Sequence, residues 1–116
     1  MVPLLLLAFF LQAGDPAADG MKALEGQKYE DAVKLFSQAL DKDKEDVSSQ
    51  FYLGLSLSFL NRDAEAMAAY KKVLVMKPGL FEAQLNLGVL HLRQKQFTEA
   101  AALLEEIGRA SCRERV

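Results

Sequence analysis

Few residues of this chain are of the types that carry chemistry, and their spacing argues against it. His91 is the only histidine and Cys112 the only cysteine. Acid–base work by His91 needs a positioned partner, and no serine, cysteine or carboxylate pattern around it forms a recognisable triad. One cysteine makes no internal disulfide, and no Cys/His cluster has zinc spacing. The run Asp41-Lys42-Asp43-Lys44-Glu45-Asp46 has lysines at alternate positions and lacks the glycine a calcium loop needs, so it reads as a solvated turn. Glu105 and Glu106 are adjacent in sequence and so do not face each other on a helix. There is no GxxxxGK[ST], no GxGxxG after a strand and no HExxH. The chain is therefore expected not to be an enzyme and to need no cofactor or metal.

Composition narrows the partners. Fourteen Lys and Arg against 16 Asp and Glu leave a net charge of −2, which gives no summed positive field for a phosphate backbone, so nucleic acid is not expected. With 51% hydrophobic and 26% charged residues, 116 residues can bury a core and are expected to fold as one unit. Val2 to Leu11 is continuously apolar and is followed by Gln12, Ala13 and Gly14. That is the pattern of a secretory signal segment, with residues 1–13 removed after Ala13, although no Lys or Arg precedes it. It falls short of the roughly 20 residues of a membrane span. Export to a periplasm or the exterior is expected if the segment acts as a signal, and a cytoplasmic location otherwise.

The elements that organise the rest repeat at a fixed interval. Gly20, Gly54 and Gly88 lie 34 residues apart, as do Ala32, Ala66 and Ala100, and Phe36, Tyr70 and Leu104. Ala39, Val73 and Ile107 follow the same interval, and so do Asp31, Glu65 and Glu99. Each unit divides into two stretches with apolar residues at helical spacing. The predicted helices run over Pro16–Gln27 and Glu30–Lys42, then Val47–Leu60 and Ala64–Lys77, then Leu80–Gln94 and Thr98–Glu105. Asp15 should cap the first, with Pro16 in its first turn, and Thr98 should cap the last. The breaks fall at Asn61-Arg62-Asp63 and Lys95-Gln96-Phe97, and Pro78 stops the fourth helix, with Gly79 reversing the chain. Glycine in one helix and alanine in its partner allow close approach, so Gly54 is expected to face Ala66. Leu53, Leu57 and Tyr70 then fill the space around that contact, and Val73 points to the next unit.

The run Gln50, Leu53, Gly54, Leu57, Ala66, Tyr70, Val73, Pro78 resembles the tetratricopeptide repeat, and Leu87, Gly88, Ala100 and Leu104 continue the pattern. The chain departs from it at Gln50 and Gln84, where the family has an aromatic residue, and at Pro16 and Asp19, so the first helix should be short. The resemblance implies an all-α fold, a right-handed α-solenoid of about three helix-turn-helix repeats over 13–46, 47–80 and 81–106, the domain spanning 14–106. It implies that His91 is a packing residue. It further implies that the first helix of each unit lines a concave groove, formed here by Ser48, Phe51, Leu55, Ser58 and Phe59 and by Glu82, Leu85, Val89, Leu92 and Arg93. Such a groove would take a peptide or helix of another protein. Of the side chains that grip C-terminal carboxylates in this family only Arg93 and Asn86 are present, so that specificity is not expected. The alternative is an N-terminal repeat appendage of a larger enzyme, transporter or envelope-assembly protein.

The last ten residues, IGRASCRERV, leave the pattern. Their codons can be written as a common short-read sequencing adapter read in frame. Residues 107–116 are therefore expected to be non-native, with the third unit cut within its second helix. Leu103 and Leu104 would then lie uncapped, and self-association through them is possible.

Overall fold

The computed structural model describes residues 14–94 and 97–114, without the side chains of Phe97, Thr98, Ala100 and Glu114. Six helices follow one another among these residues: α1 (Pro16–Glu25), α2 (Tyr29–Lys42), α3 (Val47–Phe59), α4 (Asp63–Met76), α5 (Phe81–Arg93) and α6 (Phe97–Glu114). Each packs mainly on its neighbours in the chain, and α1 also touches α3. The result is an all-α stack with a radius of gyration of 17.6 Å, where a compact domain of this length would have about 13 Å. The expected signal segment at 1–13, the expected break at Lys95 and Gln96, and the environment of Ala100 lie outside the described residues.

Local chemistry sets the helix ends. The Asp15 carboxylate accepts the Ala17 N–H at 3.2 Å, and Pro16 occupies the first turn, which asks for no donor there. Asp46, expected in a solvated turn, instead caps α3, accepting the N–H of Ser49 at 3.3 Å and its hydroxyl at 2.6 Å. The two hairpin turns use one device. Gln27 and Asn61, 34 residues apart, both sit at φ 60°. The N–H of Lys28 reaches Ala23 O at 2.8 Å and that of Gln27 reaches Leu24 O at 3.0 Å; Arg62 to Leu57 and Asn61 to Ser58 repeat this at 3.0 and 3.1 Å. This is the Schellman closure, which needs a left-handed residue just beyond the helix. Lys77 ends α4 outside helical geometry, at φ −135° and ψ 86°, as proline disfavours the helical region for the residue before it, so the helix stops at Met76 and not at Lys77. No glycine has a positive φ, so Gly79 turns the chain without using its special freedom.

Most of the expected helix ends move by one or two residues. Asp63 is the first residue of α4 and not part of the break, and α6 starts at Phe97, which puts Thr98 inside the helix instead of at its cap. The last helix also continues to Glu114, past the expected Glu105, because Ile107 falls at the register of Ala39 and Val73 and is likewise buried.

The nearest neighbours of two glycine positions are aromatic rings. A Cβ on Gly54 would lie 3.0–3.2 Å from ring carbons of Tyr70, and one on Gly20 would lie 2.8–3.0 Å from those of Phe36. Each glycine makes room for the aromatic ring sixteen residues on. Ala32 and Ala66 are fully buried. Leu57, Tyr70 and Val73 join Ala83, Leu87 and Leu90 in one core spanning the second and third units, with Leu53 against it. In the third unit the ring is replaced by Leu104, whose nearest side-chain carbon would be 3.9 Å from a Cβ on Gly88. Leu104 is 40% exposed where Phe36 and Tyr70 are buried, and no other helix among the described residues covers it.

Candidate protein-binding face

Positions on α3 and α5 that point away from the paired helices α4 and α6 form one side of the stack. Phe59, Leu85, Val89 and Leu92 are large, apolar and exposed there, Val89 to 49%, and Leu55 is half-buried among them. The two helices show the same face because Leu55 and Val89, and Ser58 and Leu92, share a repeat register. Large side chains left in water at four registered positions amount to an uncovered apolar surface, which marks an interaction site more often than chance exposure does.

The ten expected groove residues divide into three groups. Ser48, Phe51 and Glu82 line one open recess of about 250 Å³ at the start of α3 and α5, which Lys77 also borders. Phe51 is half-buried and meets Tyr70 edge-on, ring centroids 5.6 Å apart, so it belongs more to the core than to the face. Leu55, Leu85, Val89 and Leu92 are the free apolar part. Ser58, Phe59 and Arg93 are tied to other elements. Phe59 stacks on Tyr29 of α2 at 4.6 Å. Arg93 grips Asp63 with two bonds, Nε to Oδ2 at 2.8 Å and Nη2 to Oδ1 at 2.7 Å, and also donates to the Ser58 hydroxyl at 3.0 Å. Gln94 adds a bond of 2.8 Å to Asp63.

The two residues suited to holding a carboxylate are thus already engaged. Arg93 is neutralised by Asp63, and Asn86 donates its amide to the Tyr70 hydroxyl at 3.2 Å. Burial pushes the Tyr70 phenol up to about 12, and the Asn86 bond and the Arg93 charge only partly oppose this. His91 is buried as a packing residue should be, but a carboxylate does stand beside it: Nε2 lies 3.1 Å from Glu99 of α6. Gln84, in the family's aromatic position, donates to the Pro78 carbonyl at 3.1 Å and pins the turn between units. Asp63 and Tyr29 escaped the sequence reading because each looks like a polar or turn-flanking residue locally. Subtracting 30 from Phe59 and from Arg93 would have found both.

No helix among the described residues is long and apolar enough to cross a membrane, and no group of three His, Cys, Asp or Glu among them could hold a metal ion.

Comparison with known proteins agrees with this architecture. Two tetratricopeptide repeat family profiles match residues 17–81 and 60–111. The peroxisomal targeting signal receptor of Kluyveromyces lactis is 32% identical over 78 residues, covering 67% of this chain and 14% of the receptor. That of Saccharomyces cerevisiae is 34% identical over 76 residues, covering 66% and 12%. The chain therefore spans about a seventh or less of the length of these relatives. Among solved structures, MamA superimposes with a TM-score of 0.81 at 17% identity, over 86% of this chain and 58% of MamA. The TPR2B domain of yeast Sti1, in its pHsp70 complex, gives 0.76 at 18% identity, over 79% and 74%. At such identities the likeness is one of fold alone. With more than half the chain matched by a single family profile, and with helices, turns and core in its register, the chain belongs to the tetratricopeptide repeat family.

Proposed function

We propose that this chain is a protein-interaction scaffold that receives a helix or extended segment of a partner along the exposed face of α3 and α5. The observation that carries this is the apolar surface of Leu55, Leu85, Val89 and Leu92, which no element of the described chain covers. Relatives support the coarse reading: one group is named as receptors for a targeting signal, and the Sti1 domain is named in complex with pHsp70. The partner segment is apolar on the side it presents, because Leu55, Leu85, Val89 and Leu92 are apolar and Arg93 beside them is already paired with Asp63. In this proposal the chain acts by binding and not by catalysis, in keeping with relatives named as receptors.

The test uses peptides selected on the full chain from a library that contains amphipathic helical and extended sequences. Val89→Asp with Leu92→Asp should abolish binding by at least tenfold while leaving helical circular dichroism unchanged, since both side chains project into water. Unchanged affinity would remove this face from the account. Phe51 is the wrong choice for this purpose, because its ring packs on Tyr70.

One observation favours a second reading. Matched relatives carry this segment as 12–14% of their length, which suits repeats that serve as a module of a longer enzyme, transporter or envelope-assembly protein. We also propose export, on the strength of the apolar run from Val2 to Leu11. Fusing residues 1–14 to a reporter that is active only outside the cytoplasm decides that point, and an inactive reporter would discard it.

A further inference from the structure

We propose that the joint between the second and third units is an ionic hinge of the groove, and that the joint between the first and second units is its fixed counterpart. The proposal rests on reading the α3–α5 face as the partner groove. Two observations at one repeat register carry it. Tyr29, the first residue of α2, stacks on Phe59, the last residue of α3, with centroids 4.6 Å apart and planes 19° from parallel. Thirty-four residues on, Asp63 opens α4 and Arg93 closes α5, and these two make the bidentate pair at 2.7 and 2.8 Å. The same mechanical position, from the start of one unit's second helix to the end of the next unit's first helix, is therefore filled by an aromatic stack in one joint and by a salt bridge in the other.

The two fillings answer differently to the solvent. Stacked rings are held by dispersion and apolar burial, which modest changes in salt hardly touch. A charge pair weakens as ions screen it, the more so where one partner faces water. Asp63 is 8% exposed but Arg93 is 41% exposed, so ions reach the guanidinium side of the pair. Gln94 and Ser58, themselves uncharged, hydrogen-bond to the carboxylate and the guanidinium and limit how far the cluster opens. The consequence reaches the groove, because α5 carries Leu85, Val89 and Leu92. Loosening the second joint moves these three relative to Leu55 and Phe59, so an apolar ligand would bind less tightly as ionic strength rises, against the usual trend for apolar contacts.

Amide hydrogen exchange of the full chain, free of any partner, tests the hinge. Between low salt and 1 M sodium chloride, exchange along α5 should rise about fivefold relative to exchange along α3. Asp63→Tyr alone and Arg93→Phe alone should each lower protection of α5, the second leaving a buried carboxylate unpaired. The double variant, which transplants the aromatic filling, should restore protection and abolish the salt response. Equal salt responses in α3 and α5 of the unmodified chain would overturn the proposal, as would a double variant as salt-sensitive as the original. No partner enters this measurement, so its failure leaves the groove reading untouched, and loss of the groove leaves the hinge measurable.

Discussion

Alanine in place of two registered glycines should move stability in opposite directions. Both Gly54 and Gly88 lie inside a helix, where alanine is favoured over glycine by about 1 kcal/mol. At Gly88 the new methyl meets nothing closer than 3.9 Å among the described side chains, so the full gain should appear. At Gly54 the methyl would stand 3.0–3.2 Å from three ring carbons of Tyr70. That ring cannot yield, being fully buried, edge-on to Phe51 and bonded through its hydroxyl to Asn86. Overpacking of this kind costs about 1–3 kcal/mol, which offsets the helix gain and leaves a net loss of up to about 2 kcal/mol. At about 4–8 °C per kcal/mol for a domain of this size, Gly88→Ala should raise the melting temperature by several degrees and Gly54→Ala should lower it. Thermal and urea melts followed at 222 nm read both. In a Tyr70→Leu background, which copies the pairing of the third unit, Gly54→Ala should recover the gain. If Gly54→Ala stabilises the unaltered chain as much as Gly88→Ala does, the glycine does not serve the ring and the packing argument fails.

Three further outcomes follow from the same geometry. Gln27→Gly should stabilise the chain by about 0.5–1 kcal/mol in urea melts, because φ 60° strains a residue with a side chain. Asp46→Ala should cost about 1–2 kcal/mol by the same assay, since it removes the α3 cap and strands the buried Ser49 hydroxyl. The Tyr70 phenol, raised from 10 to about 12, contributes stability that is complete below pH 10 and is lost as pH rises through 12, at about 1.4 kcal/mol per unit. Tyr70→Phe should therefore be the less stable protein near pH 9, through loss of the Asn86 bond, with the difference closing or reversing by about pH 11.5. A constant difference across that range would contradict the assignment.

The repeat architecture was legible because periodicity survives substitution. Gly20, Gly54 and Gly88 fix the register, and Pro78 and Asp15 mark ends by local sterics and capping that need no tertiary information. That the glycines admit the rings of Phe36 and Tyr70 was not legible, because a missing side chain leaves no mark of which neighbour fills its space. Asp63 was hidden for a related reason. Beside Asn61 and Arg62 it reads as part of a polar break, and its partner Arg93 lies 30 residues away on another helix. Arg93 itself could be placed on the groove from the register, but not recognised as already neutralised. Glu99 beside His91 escaped because an i to i+8 contact across a turn has no signature in helical periodicity.

The account turns on where a partner segment lies. Methyl chemical-shift mapping of the valine, leucine and methionine side chains, titrated with a library-selected peptide, locates it directly. Perturbations concentrated on Leu55, Leu85, Val89 and Leu92, with the exposed Val75 of α4 unmoved, are the expected result. Shifts confined to Val75, Leu103 and Leu104 would place binding on the outer or terminal surface and contradict the account.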